Sequence, residues 1–251
     1  QQEYSSKTLP ARRGDILDNT GTPLAVSKKI YNLVIDSKVI MSKEDYFEPT
    51  MKALEACFEL NMNEIRGFVK EHSTSAYYVP LKALTYEQIA PFLEMKNDTE
   101  NYPNIMGIWF EEEYTRTYPN GSLACDVIGF TTTDLQGKFG LEEYYNDILN
   151  GTPGREYGYM NEDSALERTT KPAVDGYSIV STINANIQSI VEKYFHEFNE
   201  EHKNVAREGN GANNLGCIIM EVDSGNVLAM AGFPDFDLNN PRDVSAYLSE
   251  E

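Results

Sequence analysis

Residues 12–25 read "RRGDILDNTGTPLA" and predict how the first part of the chain folds. "RRGDILD" is typical of a short strand, and Asp18 and Gly21 take the first and fourth positions that a type I turn prefers. The tripeptide Arg-Gly-Asp at 13–15 matches a cell-adhesion signal, but a three-residue match is common by chance. An arginine between a strand and a turn more often pairs with a carboxylate elsewhere in the fold. We therefore expect Arg13 to form an internal ion pair.

Size and composition limit the classes of protein that this chain can belong to. With 251 residues it can bury a substantial core, and one or two domains are expected. Its net charge of -19 repels phosphate backbones, so binding to nucleic acid is not expected. The three cysteines are far apart and show no Cys-x-x-Cys spacing, so we expect free thiols and neither a zinc site nor a disulfide scaffold. No metal or cofactor is predicted.

Local patterns predict a mixture of strands and helices. Residues 30–36 read as a strand. Three short helices with one strand between them follow up to residue 97, and Thr85 is expected to cap the third helix. Residues 105–119 read as a strand that ends at a proline. Further expected elements are a strand in 123–132, a helix in 141–151, a β-hairpin around 151–170, a strand at 177–183, a long helix after it, and a final hairpin that turns at 223–226. The long helix has an apolar stripe formed by Ile187, Ile190, Val191, Tyr194, Phe195 and Phe198.

Two later stretches share the unusual density of glycine, proline and charge seen at 12–25. One is "RTYPNGSLACDVIGF" at 116–130 and the other is "GKFGLEEYYNDILNGTPG" at 137–154. Together the three stretches resemble the three N-terminal motifs of the class B penicillin-binding proteins, R-G-x4-D-R-x-G, R-x-Y-P-x-G and G-x-x-G-x-E. The matching residues are Arg13, Gly14, Asp18 and Gly21 in the first motif, Arg116, Tyr118, Pro119 and Gly121 in the second, and Gly137, Gly140 and Glu142 in the third.

The resemblance continues beyond these motifs. "DGYSIVSTINANIQSIVEKY" at 175–194 is similar to the entry into the transpeptidase domain, and "GCIIMEVDSGNVLAMAGFPDFDLNNP" at 216–241 is similar to that domain's first hairpin and its Pro-x-Phe-Asp-x-Asn segment. Two positions depart from the family pattern. Asn19 stands where the family has arginine, so one ion pair is expected to be missing, and Asn184 stands where aspartate is commoner.

The resemblance implies an α+β fold in two parts. Residues 1–175 would form an elongated N-terminal pedestal, or dimerisation domain, of twisted antiparallel strands with a small helical head insertion at about 43–105. Residues 176–251 would form the first strand, helix and hairpin of a penicillin-binding transpeptidase domain whose remaining part lies beyond this chain.

The residues of that enzyme's active site are not found in the sequence. No serine is followed three positions later by lysine, and there is no Lys-Thr-Gly, so the Ser-x-x-Lys acylation machinery is absent. Ser224-Gly225-Asn226 matches Ser-x-Asn, but we interpret it as a hairpin turn. The resemblance thus implies a non-catalytic scaffold of a D,D-transpeptidase that cross-links peptidoglycan, a parent protein anchored by an N-terminal helix at the outer face of the bacterial cytoplasmic membrane.

The resemblance also implies partners, and we add a structural hypothesis for the motif residues. The partners would be the parent's own catalytic domain, a SEDS-type glycan polymerase and other cell-wall machinery, with homodimerisation left open. Arg13, Asp18, Arg116 and Glu142 should converge into a charge network where the pedestal meets the catalytic domain. Gly14, Gly21, Gly121 and Gly140 should form tight turns beside it, and Tyr118 and Pro119 should fix the exit of the chain from its strand.

Two alternatives from other classes remain open. Glu111, Glu112 and Glu113 suggest paired carboxylates of a cell-wall hydrolase, but neighbours on a strand point to opposite faces, and a solvated strand end is the favoured interpretation. The tyrosines of "AYYVP" and "EEYYND" suggest sugar stacking by a stand-alone glycan- or protein-binding module. His196 and His202 lack the spacing of a metal-binding helix, so we expect solvent-facing side chains.

Overall fold

The computed structural model describes residues 5–160 and 166–243. The chain divides into two compact units, one formed by Gln1–Lys28 with Arg116–Glu251 and the other by Lys29–Thr115. Helices and mainly antiparallel strands are both present, so the predicted α+β class is confirmed.

The secondary structure follows the chain in this order. The strands are β1 (Ser5–Leu9), β2 (Ile16–Leu17), β3 (Pro23–Ile35), β4 (Tyr78–Leu84), β5 (Ile108–Thr117), β6 (Phe130–Thr131), β7 (Gly137–Lys138), β8 (Gly154–Met160), β9 (Leu166–Lys171), β10 (Ile179–Val180), β11 (Leu215–Met220) and β12 (Val227–Phe233). The helices are α1 (Ser37–Ile40), α2 (Glu44–Cys57), α3 (Met62–Glu71), α4 (Tyr86–Asn97), α5 (Cys125–Ile128), α6 (Gly140–Tyr144), α7 (Asn146–Leu149) and α8 (Ala185–Glu201).

The unit Lys29–Thr115 packs helices α1 to α4 around the end of strand β3 and its neighbour β4. Its core is apolar, with Leu54, Val69 and Phe92 fully buried. Helix α4 begins at the predicted cap, because the Thr85 side chain and the Gln88 side chain each bond to the other's backbone N–H. This unit encloses the predicted head insertion at about 43–105.

The other unit contains the sheets that carry the three motif stretches. Strands β1, β8 and β9 form an antiparallel sheet, so the hairpin predicted around 151–170 is confirmed, and its central residues 161–165 lie outside the described part. Strand β2 pairs antiparallel with the start of β3 and parallel with β10. The parallel pair of β2 and β10 brings the first motif next to the segment that enters the transpeptidase-like region.

Strands β11 and β12 form the predicted final hairpin, and helix α8 packs on it. The predicted stripe of α8 is only partly covered. Val191 is buried and Ile187 and Phe195 pack against the hairpin, whereas Ile190, Tyr194 and Phe198 are exposed. An apolar stripe shows which face of a helix can pack. Whether each residue of the stripe is buried depends on which other elements reach that face in the fold.

One strand prediction was wrong, and a second was too long. Residues 123–132 form the short helix α5 and only the two-residue strand β6, because Ala124 adopts a left-handed backbone conformation and Cys125 and Ile128 then face the core three residues apart. In 177–183, only Ile179 and Val180 pair as a strand, because their partner β2 is itself two residues long. Both segments are apolar, and periodicity alone does not separate buried strands from short buried helices.

The proposed boundary between a pedestal at 1–175 and a transpeptidase-like region at 176–251 stays a prediction. Within residues 5–160 and 166–243, no helix has both the length and the apolar character that crossing a membrane requires.

Candidate functional site: a buried network around Glu142

Glu142 lies at the centre of a buried group of polar side chains. It belongs to the one-turn helix α6 and has no solvent-exposed surface. Its Oε2 atom is 2.7 Å from Arg13 Nη2, and its Oε1 atom is 2.7 Å from Arg116 Nε. Both arginines are also buried, with 1% and 9% of their surface exposed. One carboxylate thus binds two guanidinium groups from chain segments more than a hundred residues apart.

Arg13 uses its remaining donors to tie helices α6 and α7 to the first motif. Its Nη2 donates to the backbone carbonyl of Glu142 at 2.8 Å. Its Nη1 donates to Asn146 Oδ1 at 3.0 Å and to Asn150 Oδ1 at 2.8 Å, and it lies 3.2 Å from the carbonyl of Leu135. The fixed fork of a guanidinium group suits such multiple acceptors better than an ammonium group does.

Arg116 and Tyr118 complete the group from the end of strand β5. Arg116 Nη1 donates to the carbonyl of Gly14 at 2.7 Å and to Ser27 Oγ at 3.1 Å, while its buried Nη2 has no hydrogen-bond partner among the described residues. The Tyr118 hydroxyl donates to Glu142 Oε1 at 3.2 Å. Burial, and then the negative charge of Glu142, raise the pKa of Tyr118, so the phenol remains protonated and able to donate.

Asp18 is a motif carboxylate that does not join this group. Its Oδ1 accepts from the backbone N–H groups of Thr20 and Thr22 at 2.8 and 2.7 Å, and its Oδ2 accepts from the backbone N–H of Ala185 at 3.0 Å. Burial alone would raise the pKa of Asp18, but the hydrogen bonds from Ala185, Thr20 and Thr22 outweigh it and lower the pKa. Asp18 therefore links the first turn to the N-terminus of helix α8.

The motif glycines serve two geometric purposes. Gly21, Gly121 and Gly140 have positive φ angles, as expected for turns. Gly14 does not form such a turn, and instead a Cβ atom there would lie 2.0 Å from the carbonyl oxygen of Tyr177. A Cβ atom on Gly137 would similarly lie 1.8 Å from the backbone oxygen of Glu142.

Pro119 is the one motif residue that faces solvent in the exit turn of strand β5. This strand ends at Thr117, and Gly121 donates its backbone N–H to the carbonyl of Tyr118 at 3.1 Å. Pro119 lies exposed inside that turn. The ring fixes its φ angle and provides no N–H, which is compatible with a chain that leaves a strand.

Sequence reasoning missed two side-chain amides that hold the transpeptidase-like segment. Asn239 accepts from the backbone N–H of Tyr118 and donates to its carbonyl, both at 2.9 Å. The fully buried Gln188 does the same for Met230, at 2.8 and 2.9 Å. Each amide thus pairs with both the backbone N–H and the carbonyl of one residue, as a neighbouring strand would. The resemblance could have indicated both residues, since Gln188 lies in the segment similar to the transpeptidase entry and Asn239 is the asparagine of the Pro-x-Phe-Asp-x-Asn segment.

The two departures from the family pattern meet in space. Asn184 Nδ2 donates to Asn19 Oδ1 at 3.0 Å. Asn184 also caps helix α8, because its Oδ1 accepts from the backbone N–H groups of Asn186 and Ile187. Where the family pattern has an arginine and an aspartate, this chain has a neutral hydrogen bond.

The other candidate residues do not form a comparable site. Glu111 accepts from the Tyr77 hydroxyl at 2.7 Å, which raises the Tyr77 pKa to about 12, and Glu112 pairs with Lys29 at 2.9 Å. Glu113 is exposed, as are His72, His196 and His202. Within the described ranges, no group of three histidine, cysteine, aspartate or glutamate side chains could hold a metal ion.

The buried network can hold chain segments together, but it is closed to a substrate. Both oxygens of Glu142 face donors of the protein, and none of its surface reaches solvent. The burial of Cys125 raises the pKa of its thiol to about 11, so a thiolate nucleophile is also disfavoured. The geometry is that of a structural junction.

Comparison with known proteins agrees with this geometry. The family model described as the penicillin-binding protein dimerisation domain matches residues 8–181. The chain is 27% identical over 241 residues to peptidoglycan D,D-transpeptidase FtsI of Buchnera aphidicola subsp. Baizongia pistaciae. The aligned region covers 93% of this chain and 38% of that protein. The chain is 28% identical over 244 residues to stage V sporulation protein D of Bacillus subtilis, which covers 92% and 34%.

Solved structures show the same fold. Penicillin-binding protein 2X from Streptococcus thermophilus superimposes with a TM-score of 0.76 at 20% identity, over 96% of this chain and 37% of that one. PBP2 in its complex with MreC from Helicobacter pylori gives a TM-score of 0.61 at 17% identity, over 96% of this chain and 44% of that one. The chain spans less than half the length of these relatives. Since the family model covers most of the sequence, the chain belongs to the family of penicillin-binding proteins with a dimerisation domain.

Proposed function

We propose that this chain is the non-catalytic scaffold of a peptidoglycan D,D-transpeptidase and serves cell-wall biogenesis. In this role it positions a catalytic domain and presents it to partner proteins. One observation carries the proposal: the buried carboxylate of Glu142 binds arginines from two distant segments and is inaccessible to any substrate.

The contacts beyond Glu142 support a positioning role. Asp18 binds the backbone N–H at the start of helix α8, and Asn239 pairs with the backbone of Tyr118. Each of these bonds links a motif stretch to the segment that resembles the start of the transpeptidase domain. Hydrogen bonds to backbone groups fix a position without depending on the neighbouring side chains, which suits a scaffold.

The sequence supports the absence of acyl transfer in this chain. It contains no Ser-x-x-Lys and no Lys-Thr-Gly, the elements that supply the nucleophile and its partners. The parent protein carries these in the part that the relatives have beyond the region matched here. We place the parent at the outer face of the bacterial cytoplasmic membrane, held there by an N-terminal helix.

The proposed partners are proteins of the cell-wall machinery. A PBP2 with the same fold forms a complex with MreC in Helicobacter pylori, which makes a protein of that kind the first candidate. A SEDS-type glycan polymerase and a second copy of the chain are further candidates. The strongly acidic surface, with a net charge of -19, favours partners with basic contact surfaces.

Amide hydrogen exchange tests the scaffold role directly. The network can be tested as a link between the motif stretch at 11–28 and the segment of helix α8 and strand β12. If it holds them as one cooperative unit, Glu142→Gln should reduce the protection of backbone amides from exchange in both. Asp147→Asn, an exposed carboxylate on the adjacent helix, is the matched control and should change neither. Unchanged protection in α8 and β12 after Glu142→Gln would contradict the proposed positioning.

A second measurement distinguishes a non-catalytic scaffold from a chain with its own enzymatic activity. The chain is incubated with a fluorescent penicillin and with peptidoglycan fragments. The scaffold proposal expects no label that survives denaturation and no hydrolysis of the fragments. Retained label, or hydrolysis that disappears when Glu111, Glu112 or Glu113 is replaced by glutamine, would assign the chain an activity of its own.

A further inference from the structure

A cavity of about 460 Å³ lies beside helix α5, and none of the side chains that bond to Glu142 lines it. Three phenylalanines and two aspartates supply its characteristic chemistry, namely Phe130, Phe139, Phe236, Asp126 and Asp243. Its volume is within the range of small-molecule sites. Phe130 and Phe236 also pack against the apolar core around Tyr118, whereas the scaffold role explains neither Asp126 nor the exposed Phe139.

The three aromatic rings form a continuous wall. Phe130 lies 5.8 Å from Phe139 and 6.3 Å from Phe236 between ring centroids, and the second pair meets edge to face. Aromatic rings attract cations, and in particular alkylammonium groups, through the negative charge of their faces.

Phe139 is held in this wall by an unusual backbone. Its φ of +60° and ψ of 163° fall in a region that is almost reserved for glycine. Its ring is nevertheless 65% exposed, so burial of the ring does not explain the conformation. The backbone N–H of Phe139 donates to Glu143 Oε2 at 2.8 Å, which holds the residue in place. This backbone conformation, which also lets the Phe139 carbonyl approach Gly129, places a solvent-facing aromatic side chain against the cavity.

Among the described residues that line the cavity, two are aspartates and none is a lysine, arginine or histidine. The carboxylate of Asp126 has no hydrogen-bond or ion-pair partner among residues 5–160 and 166–243, and it lies against the backbone of Gly232, where a Cβ atom would be 2.3 Å from Oδ2. Burial, and then the charge of Asp235, raise the Asp126 pKa. A cation in the cavity would supply the missing opposite charge.

From these features we propose that the cavity at Asp126 and Phe139 binds an alkylammonium group, either of a free amine or of a lysine side chain on a partner protein. The aromatic wall accommodates the alkyl part, and Asp126 faces the charge. Metal ions fit poorly, since three apolar rings replace the oxygen ligands that hard cations require. The carboxylate of Asp126 disfavours anions. The proposal is independent of the scaffold function, because none of these residues belongs to the Glu142 network.

The test uses tetramethylammonium as the probe and the complete 251-residue chain. Ring currents of the phenylalanines should move the N-methyl proton resonance upfield in a saturable manner as protein is added. The neutral analogue 3,3-dimethylbutan-1-ol has a similar shape without the charge and should not saturate. Equal binding of the alcohol, or the absence of a saturable shift with tetramethylammonium, would overturn the proposal.

Matched variants locate the binding site. Asp126→Asn and Phe139→Leu should each weaken binding of tetramethylammonium by about 3- to 10-fold, the range of one cation–aromatic or exposed charge contact. Phe139→Tyr keeps the ring and should bind as the wild type does, and Asp147→Asn, an exposed carboxylate outside the cavity, should have no effect. Wild-type affinity in both Asp126→Asn and Phe139→Leu would show that the cavity is not the site.

Two further ligands distinguish the source of the amine. One is n-butylammonium, and the other is a blocked Gly-Lys-Gly peptide compared with its ε-acetylated form. If the peptide binds as tightly as butylammonium and the acetylated peptide does not, the cavity receives a lysine of a partner protein. If only the free amines bind, the ligand is a small molecule. Binding of the acetylated peptide as strongly as the unmodified one would contradict recognition of the charge.

Discussion

Replacement of Glu142 by glutamine removes one buried negative charge and keeps the shape of the side chain. In the wild type, Oε1 accepts from Arg116 Nε at 2.7 Å and Oε2 accepts from Arg13 Nε at 2.9 Å, and Glu142 has no exposed surface. Glutamine leaves Arg13 and Arg116 buried without a counter-charge and turns one N–H donor toward another donor. Breaking a buried ion pair in this way costs about 3–5 kcal/mol. Because domains are stable by only about 5–15 kcal/mol, this is a large fraction of the free energy of unfolding.

Urea unfolding followed by far-UV circular dichroism measures this loss. With a slope of about 2 kcal/mol/M, the midpoint for Glu142→Gln should fall by about 1.5–2.5 M. Glu112→Gln is the matched control, since its ion pair with Lys29 is 2.9 Å long but both side chains are largely exposed. Exposed pairs contribute about 0–1 kcal/mol, so the control should unfold close to the wild type.

A double-mutant cycle with Arg116→Met identifies the partner. If the two side chains interact as the 2.7 Å contact indicates, their effects on the free energy of unfolding should be coupled by about 0.5–3 kcal/mol. A loss below about 1 kcal/mol for Glu142→Gln, or additive effects of the two substitutions, would refute a buried ionic junction.

Three further predictions concern the links to helix α8 and strand β12. Asp18 has a lowered pKa, so its charged form stabilises the fold, and the stability advantage over Asp18→Asn in thermal unfolding should be complete at pH 7 and should shrink as the pH falls below about 3.9. The double variant Asn19→Arg with Asn184→Asp should have a free energy of unfolding up to about 1 kcal/mol higher than that of Asn19→Arg alone, because an ion pair replaces the neutral hydrogen bond. This gain should disappear in 1 M salt, which screens an exposed ion pair. Gln188→Met leaves the backbone N–H and carbonyl of Met230 unpaired, so urea unfolding should show a loss of about 2–6 kcal/mol, and a loss below 1 kcal/mol would mean that water replaces the amide.

Local signals in the sequence predicted most elements whose structure depends on neighbours in the chain. The Asp223–Asn226 turn, the cap at Thr85 and the long helix after Asn184 are examples, because turn residues and caps act through backbone groups only a few positions away. The apolar segment at 123–132 was assigned wrongly. Its choice between strand and helix depends on the left-handed Ala124, whose backbone N–H donates to Glu192 on the distant helix α8.

The sequence alone determined the family resemblance, the α+β class and the presence of motif charges without an acylating serine. These features can be read from the sequence because motifs and periodic patterns consist of residues that are close along the chain. Only the tertiary structure decided which charges meet. Arg13, Arg116 and Glu142 converge, whereas Asp18 bonds to the start of helix α8 and Asn19 to Asn184. Contacts across more than a hundred residues depend on how sheets and helices pack, and spacing along the chain does not specify that packing.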